Sequence, residues 1–167
     1  MAALRGHDIG CTLPAGWDGR ISVRGDGAPE AFAIEGTREV FTAVPQPVAH
    51  IANFALPEER GDFGSGAVEL MGDRDVLIVL FEYEPAAAGA PLFKVRGIPK
   101  SLSASQFDPT MLRRGIAGQV GFQTFFHQAG RAFCLYVVLG NVAASARLVK
   151  LVNSVLATVE ISPRAAG

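Results

Sequence analysis

The sequence has few cysteines, no excess of charge of one sign and no long apolar run, and each of these absences excludes a class of protein. Two cysteines in 167 residues are too few for a disulfide framework. The 15 basic and 16 acidic residues give a net charge of -1, which argues against a nucleic-acid surface because such a surface needs a basic excess. The longest apolar stretch, residues 76–81, has the length of a strand and falls short of the roughly 20 residues of a membrane helix.

The residues that are present indicate one folded domain. Hydrophobic residues make up 49% of the chain and charged residues 19%, which is sufficient for a core of domain size. The apolar run before Cys11 is interrupted by Arg5, His7 and Asp8, so we reject a lipoprotein signal there. We therefore expect a single α+β domain over residues 1–162 of a cytoplasmic protein, followed by a frayed tail at 163–167.

The clearest local pattern is TFFHQAGRAFCLYVVLG, residues 124–140. It predicts a β-hairpin whose turn is Ala129-Gly130, with His127 opposite Ala132 and Phe125 opposite Cys134. One face is nearly all apolar and is predicted to be core: Phe122, Phe126, Phe133, Leu135, Val137 and Leu139. The other face is amphipathic, as a partly covered face would be: Gln123, Phe125, His127, Cys134, Tyr136 and Val138.

Several other segments carry strand or helix patterns. Residues 9–23 read as strand, turn and strand, residues 24–36 read as a loop, and further strands are predicted at 38–44, 48–56, 76–84 and 92–98. A short helix is predicted near 65–71 and a helical turn near 109–114. After a good N-cap at Asn141, a helical period places Leu148, Leu151, Val152, Val155 and Leu156 on one stripe. Strands outnumber helices, so we predict an α+β fold: a mainly antiparallel sheet with the C-terminal amphipathic helix packed on it.

Two segments at the ends of the chain resemble a known family. LPAGW (13–17) in a first hairpin, and the final hairpin and helix ending LVNSVLATVEI (151–161), are similar to the two ends of PsbP-like domains. That resemblance implies α/β/α layers around an antiparallel sheet and a binding or assembly role without chemistry. The middle of the chain resembles small proteins of high-GC bacteria instead.

No catalytic or metal-binding pattern stands out. The three histidines are accompanied by no CxxC or HExxH motif, so we predict no metal and no cofactor. His127 and Cys134 lie on different strands and are not opposite each other, and the apolar neighbours of Cys134 would raise the pKa of its thiol. Both cysteines are interpreted as small buried thiols, although the sequence leaves open a disulfide between them.

Two further features are given structural interpretations. Glu82 and Glu84 share one side of a predicted strand, and we interpret them as its solvated end rather than as a catalytic pair. GDFGSG (61–66) fails the spacing of the common phosphate-binding motifs, and acidic residues lie beside it. We interpret it as a glycine-rich surface loop.

These observations favour a non-catalytic protein-interaction or assembly module. Its predicted contact surface is the first turn around Trp17 together with the 57–66 loop, including Arg60 and Phe63. One alternative is a small-molecule or lipid carrier with an apolar pocket under the sheet, lined by Phe125, His127, Cys134 and Tyr136. The other is an enzyme of unknown class. The partner in the leading hypothesis is a protein of unknown identity, and homo-oligomerisation through a sheet edge is compatible with every alternative.

Overall fold

The structure, a computed structural model, describes residues 1–23, 30–33, 40–43 and 46–165. Strands and one α-helix alternate with 3-10 turns along these residues. They are β1 (Ala2–Gly6), β2 (Ile9–Leu13), β3 (Asp18–Val23), β4 (Glu30–Ala33), β5 (Val40–Ala43), β6 (Pro47–Ala52), β7 (Val76–Glu82), β8 (Val120–Gln128), β9 (Arg131–Leu139), α1 (Ser145–Leu156) and β10 (Glu160–Ile161).

The strands form antiparallel sheets. A five-stranded sheet has the order β3-β6-β7-β9-β8, a three-stranded sheet has the order β1-β2-β10, and β4 pairs with β5. Helix α1 packs on the large sheet through Leu148, Val152 and Val155. The predicted α+β fold, with a mainly antiparallel sheet and a C-terminal helix packed on it, is confirmed.

The central strands of the large sheet are covered on both sides, and apolar residues lie on both of their faces. In β7, Ile78 and Leu80 belong to the core under α1, whereas Leu77 and Val79 belong to a second core on the opposite face. The small sheet joins the first core through β2. Loop residues such as Leu56, Val68 and Leu112 cover the second core. The continuous apolar run of β7 is typical of a strand covered on both faces.

The β8–β9 hairpin has the predicted register. His127 pairs with Ala132, and Phe125 pairs with Cys134, around the Ala129-Gly130 turn. Both turn residues have positive φ, 55° and 73°, as a two-residue hairpin turn of type I′ requires. The face predicted to be core lies in the first core, and the opposite face is more deeply covered than predicted, because all nine residues of β9 are buried.

The predicted N-cap, Asn141, caps a 3-10 turn that precedes the α-helix, and its Oδ1 accepts a hydrogen bond from Ala143 N at 2.9 Å. The α-helix itself begins at Ser145. A 3-10 turn, Val142–Ala144, leads into α1, and the helical stripe includes Val149 in addition to the predicted residues. The predicted helix near 65–71 is a 3-10 turn, Val68–Leu70. No helix in the described ranges has both the length and the apolar character needed to cross a membrane.

The first predicted hairpin is wrong. Strands β2 and β3 join different sheets: β2 pairs with β1 and β10, while β3 pairs with β6. The hairpin partner of β2 is β1, through a turn at His7 (φ 50°) and Asp8 (φ 61°). A His-Asp pair is not among the usual residues of a two-residue hairpin turn, so turn chemistry does not predict this hairpin.

Two further segments differ from prediction. Residues 92–98 are not a strand, because Pro91 starts a 3-10 turn and one bridge between Arg96 and His127 is the remaining pairing. The segment 24–36, predicted to be a loop, contains β4, and its other residues lie outside the described ranges.

The interpretation of Glu82 as solvated is also wrong. Its side chain is 1% exposed and is paired with Arg131, which is 3% exposed. The Arg131 guanidinium donates to Glu82 Oε1 at 2.5 Å, to His7 O at 2.9 Å and to Ser162 O at 2.8 Å, and it also reaches Asp8 O at 3.2 Å. Every carbonyl in this set comes from the N-terminal hairpin or the C-terminal segment. The buried carboxylate therefore anchors both ends of the chain to the large sheet.

The C-terminal tail takes part in the same network. Arg164 donates to Glu82 Oε2 at 2.5 Å and to Gln46 Oε1, and Ala165 N donates to Asp8 Oδ2 at 3.0 Å. These two residues belong to the segment for which the sequence predicts fraying. The last two residues, 166–167, lie outside the described ranges.

Candidate functional site

The turn at Trp17 and the segment after β6 are joined by one carboxylate. Asp18 Oδ2 accepts a hydrogen bond from Leu56 N at 2.9 Å, and Asp18 Oδ1 accepts one from Arg20 Nε at 3.4 Å. Trp17 itself is partly buried against the first core. The turn and the loop predicted to form a contact surface are therefore neighbours, and Trp17 covers the edge of the core between them.

A groove of about 420 Å³ lies where the small sheet meets β3. Gly19 makes the close approach possible, because a Cβ at this position would lie 2.8 Å from Leu4 Cδ2 and 2.9 Å from Leu13 Cδ1. The groove, which we call the arginine groove, is lined by Leu4, Arg5, Gly19, Arg20, Ile21, Ser22, Leu56, Glu58 and Arg60. Its lining combines the apolar side chains of Leu4, Ile21 and Leu56 with three guanidinium groups and the Glu58 carboxylate.

Hydrogen bonds to neighbouring residues fix the position of Arg60 in the arginine groove. Its Nε donates to His50 Nδ1 at 3.0 Å and its Nη1 donates to Pro57 O at 2.8 Å. Burial lowers the pKa of Arg60, and the nearby charge of Arg20 lowers it further. No ion pair joins Arg60 to a carboxylate of the described residues, whereas Arg20 lies 3.4 Å from Asp18. Arg60 thus presents a partly desolvated cation, and the nearby charge of Asp18 raises its pKa in opposition to burial.

His50 is fixed as a neutral ring. It is 3% exposed; its Nε2 donates to Asp62 O at 2.9 Å, and its Nδ1 accepts from Arg60 because a guanidinium can only donate. Burial lowers the pKa of this imidazole. Both ring nitrogens are occupied, so His50 acts as a support for Arg60.

Phe63 and Arg60 belong to the same loop but face different sides of it. Phe63 stacks on Phe81 with ring centroids 4.7 Å apart, and the Arg113 guanidinium carbon lies 3.5 Å from the Phe63 centroid. The glycine-rich loop between them closes on itself, since Gly61 N donates to Ser65 O at 2.8 Å. The Gly66 N–H, which a phosphate would need, donates instead to Glu69 Oε2 at 2.6 Å.

The four residues proposed for an apolar pocket lie on one face of the hairpin, but aromatic packing fills that face. Phe125 contacts Phe93 with ring centroids 5.9 Å apart, and His127 Nδ1 donates to Phe93 O at 2.6 Å. Cys134 is buried in the second core, and burial raises the pKa of its thiol to about 11. Tyr136 differs from the other three because it lines a cavity.

This cavity has a volume of about 130 Å³ and lies between the loop 61–71 and the segment 112–119. Its lining is Phe63, Ser65, Val68, Leu112, Arg113, Arg114, Gln119 and Tyr136. Tyr136 Oη accepts a hydrogen bond from Arg113 N at 2.9 Å, and Gln119 Nε2 donates to Val68 O at 2.8 Å. Sequence reasoning missed Gln119, because its burial depends on a loop 51 residues away.

The described residues hold neither a cluster of metal-ligating side chains nor an exposed thiol. Among the residues described, no group of three or more His, Cys, Asp or Glu side chains is arranged to hold a metal ion. Burial raises the pKa of both free thiols, to about 11 for Cys11 and for Cys134, which disfavours the reactive thiolate. The polar side chains that line these two places include the Arg60 guanidinium in the groove and, in the cavity, the Gln119 amide, whose Nε2 donates to Val68 O.

Comparison of the chain with protein-family models, with curated proteins and with solved structures finds no match in any of the three.

Proposed function

We propose that this chain is a non-catalytic, cytoplasmic protein-interaction domain whose partner binds over the arginine groove. The observation that carries the proposal is the state of Arg60. It is partly buried, fixed from beneath by His50 and Pro57, and makes no ion pair with the described residues. Holding a cation in one orientation beside apolar surface is typical of the arginines that dominate binding energy in protein interfaces.

The groove indicates the kind of segment that would bind. Leu4, Ile21 and Leu56 contribute apolar side chains to its lining, and Arg20 and Arg60 contribute guanidinium groups. A guanidinium binds a carboxylate through two parallel hydrogen bonds. The complementary partner is a protein segment with an acidic side chain next to an apolar one.

Other observations support parts of the same proposal. Free, buried cysteines are compatible with a reducing compartment. The PsbP-like relationship, and with it an assembly role, stays part of the proposal on the resemblance of residues 13–17 and 151–161.

Exchange of Arg20 for glutamate tests the groove. Arg20 is exposed, so R20E is expected to leave the melting temperature nearly unchanged while removing captured partners in a quantitative pull-down. The matched control is R147E, which changes the same charge on the exposed side of α1. Equal capture by wild type, R20E and R147E would defeat the proposal.

The role of Trp17 needs a separate variant, because Trp17 packs against the core. In W17A, the melting temperature and partner capture are measured together. Lower stability with unchanged capture would show that Trp17 covers the core edge and is not part of the contact surface.

A further inference from the structure

Strand β3 is an edge of the large sheet. The strand order gives it β6 as its neighbour, and among the described residues the backbone groups of residues 20–22 make no backbone hydrogen bond outside the ladder with β6. In an edge strand, alternate N–H and C=O groups point away from the neighbouring strand and can pair with a further strand. Within the part of the chain that the structure describes, β3 therefore offers free backbone donors and acceptors.

The arginine groove follows this edge. Four consecutive residues of β3, residues 19–22, line it. Consecutive side chains of a strand point to opposite faces of the sheet, so a groove on one face alone would be lined by every second residue. Because all four residues line the groove, it runs along the edge of β3, where both faces and the backbone between them are accessible.

The two sides of the edge differ in chemistry. Ile21 and Leu4 pack against the first core, so the groove is apolar on that side. Arg20 lies directly opposite His50 in the β3–β6 ladder, and opposed residues of antiparallel strands point to the same face. His50 Nδ1 accepts a hydrogen bond from Arg60 at 3.0 Å, which brings Arg20 and Arg60 to the same side, away from the first core.

We propose that the partner adds a β-strand to the edge of β3, through an extended segment in which acidic and apolar residues alternate. This inference rests on the proposed function and specifies how the partner binds. The period of two sends alternate side chains of the added strand to opposite sides of the sheet. Its apolar side chains meet Leu4 and Ile21, its carboxylates meet Arg20 and Arg60, and its backbone pairs with β3.

The charges favour an acidic segment over a second copy of β3. Among the described residues that line the groove, Arg5, Arg20 and Arg60 are accompanied by one carboxylate, that of Glu58. A second copy paired at the same edge would bring its own Arg20 towards these guanidinium groups, and like charges across paired strands are destabilising. An acidic side chain in that position instead forms charge-assisted hydrogen bonds with a guanidinium.

Synthetic peptides test the binding mode on the full-length chain. The probe has blocked ends and roughly eight residues, alternating valine and glutamate. One control has the same composition with the valines before the glutamates, and the other alternates valine and lysine. Dissociation constants are measured by titration of ¹⁵N-labelled protein, following the backbone amide signals of residues 19–22. We expect the probe to bind about tenfold more tightly than either control, because it alone satisfies both sides of the groove.

N-methylation of the probe separates backbone pairing from side-chain contact. The N–H groups of consecutive strand residues point to opposite edges, so methylation of the valines or of the glutamates blocks one edge of the peptide or the other. A peptide added to β3 uses one of its own edges. We therefore expect one methylated version to lose about tenfold in affinity and the other to bind like the probe.

Two protein variants locate the carboxylates. Arg20 is exposed, and R20E should reverse the preference, so that the valine–lysine peptide binds more tightly than the valine–glutamate peptide. R147E makes the same charge change on the exposed side of α1 and should retain the wild-type preference.

Strand addition is overturned by equal affinity of the two methylated versions, by equal affinity of the alternating and block peptides, or by no shift at residues 19–22 at millimolar peptide concentration. The proposed function is judged separately, by capture of partners in the pull-down. Capture that R20E removes, together with equal binding of the two methylated peptides, would mean that the partner contacts the arginine groove without adding a strand.

Discussion

At the scale of single residues, burial decides what the ionisable groups can do. Cys11 lies in the core under α1 and Cys134 lies in the second core, and each thiol is removed from water by the surrounding apolar side chains. His50 is surrounded in the same way, but it keeps two hydrogen-bond partners. In all three groups, burial disfavours the charged form in the folded state.

The thiols should react slowly with Ellman's reagent. Burial raises the pKa of both thiols from 9.0 to about 11, so the thiolate fraction at pH 8 falls about 100-fold relative to an exposed cysteine. We expect no fast phase in native protein and two equivalents of rapid reaction after unfolding in guanidinium. A fast equivalent in native protein would contradict the burial of at least one cysteine.

His50 should make stability depend on pH. Burial lowers its pKa below the ordinary value of 6.5, and the charge of Arg60 acts in the same direction. The unfolded chain therefore takes up a proton at a pH where the folded chain does not. The free energy of unfolding should decrease as the pH falls below 6.5, and the loss continues until the folded imidazole itself becomes protonated.

Urea unfolding at several pH values between neutral and mildly acidic measures this effect. H50Q should show a shallower decrease than wild type over the same range. Parallel curves for the two proteins would indicate that other groups account for the pH dependence.

The burial of apolar residues was predictable at this scale, but the partners of polar residues were not. The period of two in residues 122–139 identified the core face of the hairpin, because alternation is a local property. Alternation at the end of the predicted strand 76–84 likewise places Glu82 in solvent, although its side chain is 1% exposed. Its partner Arg131 lies 49 residues away, and no local pattern records such a distance.

At the scale of secondary-structure elements, the β8–β9 hairpin shows how a turn fixes a register. Ala129 adopts φ 55° at the first position of the turn, a conformation that strains a side chain other than glycine, asparagine or aspartate. The following Gly130 takes φ 73° without strain. Because the strands on both sides are long and buried, the hairpin tolerates this strain at Ala129.

Substitutions at Ala129 should report that strain. A129N places an Asn-Gly pair in the turn and is expected to raise the free energy of unfolding by about 0.5–1 kcal/mol. A129V adds a β-branched side chain at positive φ and should lower it by about 1 kcal/mol or more. Thermal and urea unfolding of the two variants provide the measurement, and a lower stability for A129N would show that the turn is not strained.

The identity of the elements was largely predictable, and their partners were less so. The positions of β6, β7, β8, β9 and α1 follow from local periodicity and turn residues. That β2 and β3 belong to different sheets does not follow from local patterns. Whether two consecutive strands pair with each other depends on which sheet has an open edge. The arginine groove arises from this separation, so the sequence could suggest its residues without predicting that they would form a groove.

At the scale of the whole molecule, one buried network connects the two sheets. Glu82 belongs to the large sheet, and the carbonyls of His7, Asp8 and Ser162 belong to segments at the ends of the chain. Arg131 links them through hydrogen bonds from all three of its guanidinium nitrogens. Removing a charged donor from such a buried carboxylate strongly destabilises the folded protein.

Removal of Arg131 should therefore be more harmful than removal of the whole pair. R131M removes the more deeply buried of the two arginines that pair with Glu82 among the described residues, and we expect a loss of about 3–5 kcal/mol in the free energy of unfolding. The double variant E82L/R131M removes the buried carboxylate as well and should recover a substantial part of that loss. A double variant less stable than R131M would show that the network contributes net stability beyond charge compensation.

The pairing of β2 with β10 has a consequence for synthesis. Thr12 N donates to Thr158 Oγ1, 146 residues further along the chain, and Ile9 pairs with Ile161. A ribosome releases β2 long before β10 has been translated. Until then, the side chains of the β1–β2 hairpin that face the core in the folded protein remain exposed to solvent. Completion of the small sheet is thus coupled to the emergence of β10, and ribosome-bound chains halted before β10 should be captured by chaperones that release chains in which β10 is present.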